Sequence, residues 1–442
     1  MRAFIEQLAA AGELLVVHEP VNQRYELAAV TKKIQATSEK AVLFRNVAGT
    51  TLPVVTNLYG SHGRLCRLIG APTDAFCPVW AETLRAPRTH EIYAPVPTGA
   101  GTVECALRDL PLITYHEKDA GPYFTSAIFL ALEPDTRVPN LSFHRSMYVS
   151  DRELRVRLGS SHDLARYQKK AEQRGEALEA ALLIGVAPEI FLSACYSLPY
   201  EANELELAAK LQGRPIPMRP CSRIDLSVPA SAEIVVEGRF LPNVRRPEGP
   251  FGEFLGAYVP VGDNHVFEVL AVTRRADAHF HSLTCGTPED LRPLEALTAA
   301  RVYEHVSRVV RGVLDVSTRP NCMITILKIK QEYEGHGKHA LLAALGSNMD
   351  FNKVCMVVDE DVNIYDLNDV MWAYLTRGPA DQRAMILERI PGFYRDELKD
   401  HWGRLAIDAT MPWGRSAEFE RKRIPGEESV DLARYLGEQS LK

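Results

Sequence analysis

Short strand-forming runs give way to alternating helices and strands near residue 288, and this change constrains the fold more than any other feature of the sequence. From about residue 103 to 285 the chain consists mainly of runs such as FTSAIFLALEP and AEIVVEGRFLP, separated by turn residues. Many short strands of this kind are typical of a barrel or a sandwich. Farther along, LEALTAARVYEHVSRVVRG, MITILKI, KHALLAALGS and KVCMVVDEDV alternate between helical and strand patterns, as in an α/β domain.

The sequence therefore predicts a mixed α/β (α+β) protein of several domains. The first hundred residues combine a helical start with the strand-forming runs ELLVVHEPV, KAVLFRNV and LPVVTNLYG. Within the central region we expect one helix over 163–185, DLARYQKKAEQRGEALEAALLIG. The predicted boundaries are 1–102 for an N-terminal α/β domain, 103–288 for the β-rich domain, 289–424 for a C-terminal α/β domain and 425–442 for a tail with a short amphipathic helix.

Composition restricts the classes of function. A net charge of −6 argues against a protein whose main partner is nucleic acid or an anionic membrane, so the expected substrate is a small molecule. No apolar run reaches the roughly 18 to 20 residues that a membrane span requires, and the N-terminus lacks the pattern of a signal peptide. The eight cysteines form no C-x-x-C pair, which suits reduced thiols. We therefore expect a cytoplasmic protein.

The stretch PEGPFGEFLGAY sets Glu248 and Glu253 five residues apart. Residues at this spacing point to opposite faces of a strand and lie roughly 140° apart on a helix, so neither element would bring the two carboxylates together. The intervening Gly-Pro-Phe-Gly can form a tight connection, because glycine tolerates unusual backbone angles and proline fixes φ. The sequence thus predicts two carboxylates folded around Phe251.

A basic partner for these acids occurs about a hundred residues earlier. The strand-forming run VPNLSFHRSMYV contains Arg145, and arginine is rarely buried without an anionic partner. An arginine between Glu248 and Glu253 would hold one carboxylate ionised and leave the other protonated, as a general acid requires. The alternative from composition alone is that these residues form surface salt bridges.

Three further polar residues are candidate metal ligands. Asn140, His162 and Glu204 would form a mixed oxygen and nitrogen set, which suits Mn²⁺ or Mg²⁺ completed by a phosphate better than a thiolate-rich zinc site. A calcium loop is not expected at DEDVNIYD, because Ile364 occupies the position where such loops carry glycine. Those acids are expected to end a buried strand and to cap the next helix.

The order of these motifs resembles the UbiD-like decarboxylase family, whose members use prenylated FMN. The matching segments lie between about residues 105 and 412, and they are PNLSFHR, SSHD, NELELAAKLQGRPIP, AEIVVEG, PEGPFGEFLGAY, KVCMVVDEDVNIYDLNDVMWAYLTR and AIDAT. The resemblance implies a split β-barrel like that of flavin reductases as the cofactor domain of residues 103–288, and an oligomerisation role for the C-terminal α/β domain. It also implies a homodimer or homohexamer.

The resemblance also assigns roles to individual positions. Arg145, Glu248 and Glu253 resemble the family's Glu-Arg-Glu catalytic network, with Glu253 as proton donor. Asn140, His162 and Glu204 resemble ligands of a divalent metal, usually Mn²⁺, that ties the cofactor phosphate to the protein. Backbone carbonyls near Ser193 to Tyr196 are expected to bind a K⁺ ion. The positions implied to bind the cofactor are Asn140, Leu141, Ser142, Phe143, His144, Arg145, Ser161, His162 and Glu204.

The implied enzyme is a carboxy-lyase that reversibly and non-oxidatively decarboxylates an aromatic, heteroaromatic or α,β-unsaturated acid by covalent catalysis on the flavin. A flavin prenyltransferase is the expected cofactor supplier. Phe254 and the segment TCGTPEDLR are expected to border the substrate, with Arg292 more plausibly a surface residue than a partner of a second carboxylate. His144 stands where related enzymes often carry a small residue. Two alternatives remain open, an FMN-dependent oxidoreductase on the same barrel and a non-catalytic subunit of a decarboxylase complex.

Overall fold

The fold was analysed in a computed structural model that describes residues 1–97, 101–347, 351–390 and 403–436. Its helices are α1 (Arg2–Ala10), α2 (Glu26–Gln35), α3 (His62–Ile69), α4 (Phe76–Arg85), α5 (Asp163–Gln173), α6 (Pro188–Cys195), α7 (Glu204–Gln212), α8 (Pro288–Val306), α9 (His336–Leu345), α10 (Leu367–Arg377), α11 (Ala380–Arg383) and α12 (Ala433–Leu436). Its first strands are β1 (Leu14–Val17), β2 (Val21–Asn22), β3 (Ala41–Phe44), β4 (Val47–Ala48), β5 (Val54–Thr56), β6 (Tyr93–Pro95), β7 (Thr102–Glu104), β8 (Tyr123–Phe124), β9 (Ile128–Leu132), β10 (Pro139–Phe143), β11 (Ser146–Ser150) and β12 (Glu153–Val156). The remaining strands are β13 (Leu178–Ile184), β14 (Ile216–Pro220), β15 (Ser227–Pro229), β16 (Ile234–Glu248), β17 (Phe251–Gly252), β18 (Tyr258–Val259), β19 (Gly262–Arg275), β20 (Phe280–His281), β21 (Val313–Ser317), β22 (Ile324–Ile329), β23 (Val354–Asp359), β24 (Ala384–Leu387) and β25 (Arg404–Asp408).

The N-terminal region forms a small sheet in the order β1-β3-β5-β20. Its first three strands are the strand-forming runs expected from the sequence, and β20 is contributed by a segment more than 200 residues later in the chain. Parallel pairing of β5 with β20 joins this region to the end of the central one. The N-terminal and central regions consequently share one apolar core.

The main sheet of the central region is antiparallel and has nine strands, in the order β10-β9-β13-β16-β19-β12-β11-β8 with β7 also paired to β19, and smaller sheets β15-β14-β6 and β17-β18 lie beside it. Within the described residues the two end strands, β10 and β8, are not paired with each other, so the sheet is open and does not form a closed ring. The long strands β16 and β19 form its centre. Helices α6 and α7 pack on the outer strand β10.

The prediction of one helix over 163–185 is wrong. Helix α5 ends at Gln173, and Gly175 then has a φ of +69°, a left-handed conformation that ends a helix at little cost. The following residues form strand β13, which lies between β9 and β16. Its alanines and leucines have good helix propensity, but burial inside the sheet decides the outcome because tertiary contacts override local preference.

The C-terminal region has a five-stranded sheet in the order β21-β22-β23-β25-β24, whose central strands β22, β23 and β25 are parallel. Its α/β alternation agrees with the pattern read from the sequence. Asp359 ends the buried strand β23, and Asp366 caps α10 by accepting a hydrogen bond from Asn368 N at 2.9 Å. The tail helix was expected over ESVDLARYLGEQSL, 428–441, but of its described residues only α12 is α-helical, preceded by the 3-10 turn Glu427–Ser429. Residues 437–442 lie outside the described residues.

All eight cysteines are free thiols, four of them buried and four half-buried. Burial raises the pKa of Cys66 to about 11, so this thiol remains protonated at neutral pH.

In the part of the chain that the structure describes, no helix combines the length and the apolar character needed to cross a membrane.

Candidate active site

Arg145 lies between Glu248 and Glu253. Its Nε and Nη2 donate to the two carboxylate oxygens of Glu248 at 3.0 and 2.9 Å, and its Nη1 donates to Oε1 of Glu253 at 3.1 Å. The three side chains are 7, 0 and 7% exposed for Arg145, Glu248 and Glu253. Arg145 therefore engages the two acids unequally, with a paired fork on Glu248 and a single bond on Glu253.

Glu248 has two further hydrogen-bond donors. The hydroxyl of Tyr123 donates to its Oε1 at 2.8 Å, and Nδ2 of Asn264 donates to its Oε2 at 2.9 Å. Burial, followed by the charge of Glu248, raises the pKa of Tyr123 well above its ordinary value, so the phenol keeps the proton that it donates. Each oxygen of Glu248 thus accepts two hydrogen bonds, one from Arg145 and one from a second side chain.

The sheet register explains how residues about a hundred positions apart meet. Four neighbouring strands align one row of residues, which are Ser146 of β11, Val156 of β12, His265 of β19 and Arg245 of β16. Arg145 directly precedes this row, and Glu248 lies three residues beyond it on β16. Both side chains are consequently at the same end of the sheet.

The connection from β16 to β17 places the second acid. Gly249 adopts a φ of +94°, Pro250 follows, and Phe251 and Gly252 form the short strand β17 paired with β18. Glu253 directly follows this strand, and its Oε2 accepts a hydrogen bond from Phe254 N at 3.1 Å. The chain therefore reverses between the two glutamates, so that both reach Arg145.

The surroundings of Arg145 favour its charged form. Burial alone would lower its pKa, but the hydrogen bonds and charge of Glu248 and the charge of Glu253 outweigh burial, so the net shift is upward. The guanidinium carbon also lies 4.8 Å from the ring centre of Phe251, a cation–π distance. The guanidinium of Arg145 is thus a positively charged group held in place beside Glu248 and Glu253.

Asn140 and Glu204 are in direct contact. Nδ2 of Asn140 donates to Oε1 of Glu204 at 3.3 Å, and Leu141 N donates to Oε2 at 3.0 Å. Glu204 begins α7 and is 3% exposed, and burial is the main reason that its pKa is raised to about 7. No lysine or arginine of the described residues forms an ion pair with it. A carboxylate desolvated in this way, next to an amide oxygen, fits a site that a divalent cation completes.

A chain of contacts through Ser142 and His144 connects Asn140 with His162. Asn140 Oδ1 accepts from Ser142 Oγ at 2.9 Å, and Ser142 Oγ lies 3.0 Å from His144 Nε2. The rings of His144 and His162 are centred 5.1 Å apart. His162 occupies the position before the first residue of α5 without capping it by its side chain, and the neighbouring Asp163 contributes to the raised pKa of Glu204. The predicted metal ligands thus belong to one polar region, with His144 buried between them.

Of the remaining positions predicted to bind the cofactor, those in β10 lie on its two faces, and Ser161 lies outside this strand. Leu141 and Phe143 alternate with Asn140 and Ser142, as a strand requires, and they pack against the main core. The ring of Phe143 is centred 5.0 Å from that of Phe191. Ser161 is exposed in the turn before α5. The side chains of Leu141 and Phe143 therefore face the apolar core, whereas Ser161 is exposed to solvent.

The segment predicted to bind K⁺ closes a helix. Ser193 and Cys195 belong to the last turn of α6, and Tyr196 follows it. The last carbonyl groups of a helix lack partners within the helix and carry its negative dipole end, so they suit a cation. Helix α6 packs against both α7 and β10, which carry Glu204 and Asn140.

Arg292 and Phe254 lie in different environments. Arg292 donates to Oε2 of Glu295 at 2.6 Å within α8, and the two side chains form an ion pair.

The residues before α8 lie close to the loop that carries Glu253. A Cβ on Gly286 would lie 3.3 Å from the carbonyl oxygen of Phe254 in that loop. Asp290 accepts from Gly286 N at 2.8 Å, and burial raises its pKa to about 6. TCGTPEDLR thus contacts the loop that carries Glu253.

Sequence reasoning missed three side chains of this region, Tyr123, Asn264 and Asp119. Tyr123 and Asn264 bind Glu248, whereas Asp119 binds the backbone of Gly252. For Asn264 a signal existed, since β16 and β19 form a long hairpin in which Glu248 pairs with Gly262. No local pattern marks Tyr123 or Asp119, because Tyr123 comes from β8 and Asp119 from the segment before that strand, both distant in sequence from Glu248 and Gly252.

Comparison with known proteins adds independent information. The sequence matches the family descriptions of the N-terminal domain, the Rift-related domain and the C-terminal domain of 3-octaprenyl-4-hydroxybenzoate carboxy-lyase, at residues 5–84, 93–288 and 293–409. A curated relative, the anhydromevalonate phosphate decarboxylase of Methanothermobacter thermautotrophicus, is 31% identical over 433 residues, covering 95% of this chain and 99% of the relative.

Two solved structures of HmfF, a UbiD-class enzyme from Pelotomaculum thermopropionicum, are similar in fold. The complex with FMN is 33% identical with a TM-score of 0.93, covering 98% of this chain and 99% of that one. An evolved dimeric form in complex with prenylated FMN is 32% identical with a TM-score of 0.89 and the same coverage. Full-length similarity in sequence and in structure leads to one conclusion: the chain belongs to the UbiD family and is a carboxy-lyase of that class.

Proposed function

We propose that this carboxy-lyase reversibly decarboxylates an unsaturated carboxylic acid on prenylated FMN, with Glu253 as the proton donor. The observation that carries the proposal is the buried arrangement in which Arg145 holds Glu248 by two hydrogen bonds and Glu253 by one. An ordinary flavin oxidoreductase requires no such network. A non-catalytic subunit would not need it either.

The cofactor, when bound, supplies the capacity to bond to the substrate carbon skeleton and to accept the electrons left when carbon dioxide departs. The protein's residues then have physical tasks. Arg145 is a fixed, charged fork with its Nη1 toward Glu253, so it can attract and orient a carboxylate that approaches the two acids.

The two glutamates differ in what they can do. Glu248 receives four hydrogen bonds, two of them from Arg145, so both of its oxygens are committed to side chains that hold it in place. Glu253 accepts one N–H of Arg145 and the N–H of Phe254, and it lies at the tip of a short hairpin next to the guanidinium. We assign proton return to the substrate carbon to Glu253, and we assign to Glu248 the task of holding Arg145.

We further propose that Asn140, His162 and Glu204 hold Mn²⁺ or Mg²⁺ against the phosphate of the cofactor. The burial of Glu204 and its contact with Asn140 support this assignment. Carbonyl groups at the end of α6, from Ser193 to Tyr196, are proposed to bind a K⁺ ion nearby. Leu141, Ser142, Phe143, His144 and Ser161 complete the proposed cofactor surface.

The proposed substrates are aromatic, heteroaromatic or other α,β-unsaturated acids. The curated relative acts on anhydromevalonate phosphate, so this acid belongs beside cinnamic, 4-hydroxybenzoic, 2-furoic, pyrrole-2-carboxylic and indole-3-carboxylic acids in the same screen. We propose a homo-oligomer, dimer or hexamer, supplied with its cofactor by a flavin prenyltransferase. The C-terminal α/β domain, 289–424, would provide the contact between subunits.

The test is to produce the protein with and without a flavin prenyltransferase. Intact mass and absorbance of the released flavin identify the cofactor, and carbon dioxide release from the six acids identifies the activity. Prenylated FMN together with carbon dioxide release supports the proposal. Unmodified FMN with reductase activity, or prenylated FMN without release from any of the acids, contradicts it.

A further inference from the structure

A short segment in front of β8 wraps around the hairpin that carries Glu253. This segment, His116–Ala120, contacts the hairpin on several sides. Ala120 N donates to the carbonyl oxygen of Pro250 at 2.9 Å. At the far end of the hairpin, Lys118 N lies within hydrogen-bond distance of the hydroxyl of Tyr258, at 3.3 Å. The hairpin is thus held by residues from outside its own sequence.

Asp119 makes the central contact. Its side chain is completely buried, its Oδ1 accepts from Gly252 N at 2.9 Å, and its Oδ2 accepts from His116 N at 2.8 Å. A buried carboxyl group is costly unless it is hydrogen-bonded, and here each of its oxygens accepts from a backbone N–H. The bond to Gly252 therefore fixes the backbone one residue before Glu253.

Gly252 is required for this close approach. A Cβ at this position would lie 2.5 Å from Nδ1 of His116, closer than real Cβ atoms come to other atoms. The imidazole of His116 also lies 3.5 Å from Oδ2 of Asp119. The ring of His116 thus occupies the space that a Cβ of Gly252 would need, and the carboxyl group of Asp119 binds the N–H of Gly252.

We propose that Asp119 is a positioning residue that sets the location of the proton donor Glu253 relative to Arg145. The inference rests on the proposed function of Glu253. Among the described residues, the side chain of Asp119 binds the backbone amides of Gly252 and His116 and lies beside the imidazole of His116, so its role is to position other groups. Its effect passes through Gly252 to the next residue, whose carboxylate is held by Arg145 through a single N–H.

A small displacement would matter because proton transfer depends steeply on geometry. Moving a reacting group by about 1 Å can lower a rate by roughly 100-fold. Asp119→Ala removes both backbone bonds, whereas Asp119→Asn keeps one oxygen and presents an NH₂ group to one of the two amide donors. We expect kcat to fall by about 10- to 100-fold in both variants, with KM changed by less than about threefold.

Two readouts distinguish positioning from a general loss of structure. The first is hydrogen–deuterium exchange of the peptide containing Phe251 to Tyr258, which should become at least about tenfold faster in the Asp119 variants. The second is bound flavin per chain, which should not change. The matched control is Asp366→Ala, because Asp366 also accepts a backbone N–H but does so at the cap of α10. That variant should leave kcat and the exchange of this peptide unchanged.

A double-mutant cycle tests the role of the glycine. Gly252→Ala alone should lower kcat, because its Cβ meets the ring of His116. The same substitution in a His116→Ala background should cost less, and the difference measures the contact.

The outcomes separate this inference from the proposed function. If Glu253→Gln is inactive while Asp119→Ala keeps both kcat and slow exchange, the positioning role is wrong and the function of Glu253 stands. If Glu253→Gln is as active as the unmodified enzyme, the proposed proton donor is wrong. In that case, unchanged exchange of the Phe251–Tyr258 peptide in Asp119→Ala would also show that Asp119 does not hold the hairpin. Faster exchange would show that Asp119 stabilises the hairpin without a role in proton transfer by Glu253.

Discussion

Arg145 and Glu253 are 108 positions apart in the chain, and their Nη1 and Oε1 atoms lie 3.1 Å apart. The same guanidinium makes a two-pronged contact with Glu248. This unequal sharing of one arginine distinguishes two glutamates that their five-residue spacing alone does not tell apart. It also leads to predictions that different experiments can test.

Replacing Glu253 by glutamine should remove the transferable proton while keeping the size of the side chain. We expect kcat for decarboxylation to fall by about 10²- to 10⁴-fold, with flavin content unchanged. The measurement is carbon dioxide release per bound flavin. Full turnover by this variant would exclude Glu253 as the acid, and Glu268→Gln on the exposed side of β19 serves as a control that should keep its activity.

Replacing Arg145 by lysine should show whether the fork matters beyond its charge. A lysine supplies one compact ammonium group and cannot donate in parallel to both oxygens of Glu248. We expect kcat/KM to fall by about 10²- to 10³-fold. Arg239→Lys, at a partly exposed ion pair with Glu268 on the central sheet, is the control. Equal losses in both variants would show that the network at Arg145 has no special role.

Replacing Glu204 by glutamine should weaken metal binding, because the amide keeps the shape but not the charge. We expect affinity for Mn²⁺ to fall by at least about 100-fold and the flavin to be lost with the metal. Metal analysis and absorbance of the purified protein measure the two together. Glu206→Gln, an exposed position on the same helix, should retain both. Stoichiometric flavin in the Glu204 variant would contradict the proposed metal site.

Acid should destabilise the central sheet through His265. Burial, followed by the charge of Arg245, lowers the pKa of His265 from 6.5 to about 4 in the folded protein. The unfolded chain therefore binds this proton first as the pH falls, so the stabilisation is complete above about pH 6.5 and is lost toward pH 4. Allowing for partial exposure, the loss at pH 5 is about 1 kcal/mol.

Urea unfolding at pH 7.5 and pH 5 measures this effect. His265→Gln should reduce the difference in the free energy of unfolding between the two pH values. A difference as large as that of the unmodified protein would assign the acid sensitivity to other groups.

Local patterns in the sequence were sufficient for several elements of the N-terminal and C-terminal regions. Helix α10 begins where the acids of DEDVNIYD were expected to cap a helix, because Asp366 supplies that cap. The segment of β13 was misassigned because its alanines and leucines favour a helix, and only neighbours from β9 and β16 make it a strand. Pairing between distant strands is not written in any local pattern.

The candidate site shows the same division. Arg145 could be matched to two acids because a buried arginine needs anionic partners, and the glycines around Glu248 and Glu253 indicated a reversal of the chain. Tyr123 and Asp119 could not be found in this way. Their contacts depend on the three-dimensional approach of β8 and its preceding segment, to which their own sequence neighbours give no clue.

Only four residues separate Asn140 in β10 from Arg145, which follows this strand, so the proposed metal ligand and the proposed catalytic arginine share one short stretch of backbone. Inserting or deleting a single residue there would turn alternate side chains to the opposite face and separate the two functions at once. This segment can therefore diverge by substitution but not by a change of length. Variation in substrate range should instead arise by remodelling the hairpin after Gly252 and the turn before α8, where the chain can change length without moving the metal ligands.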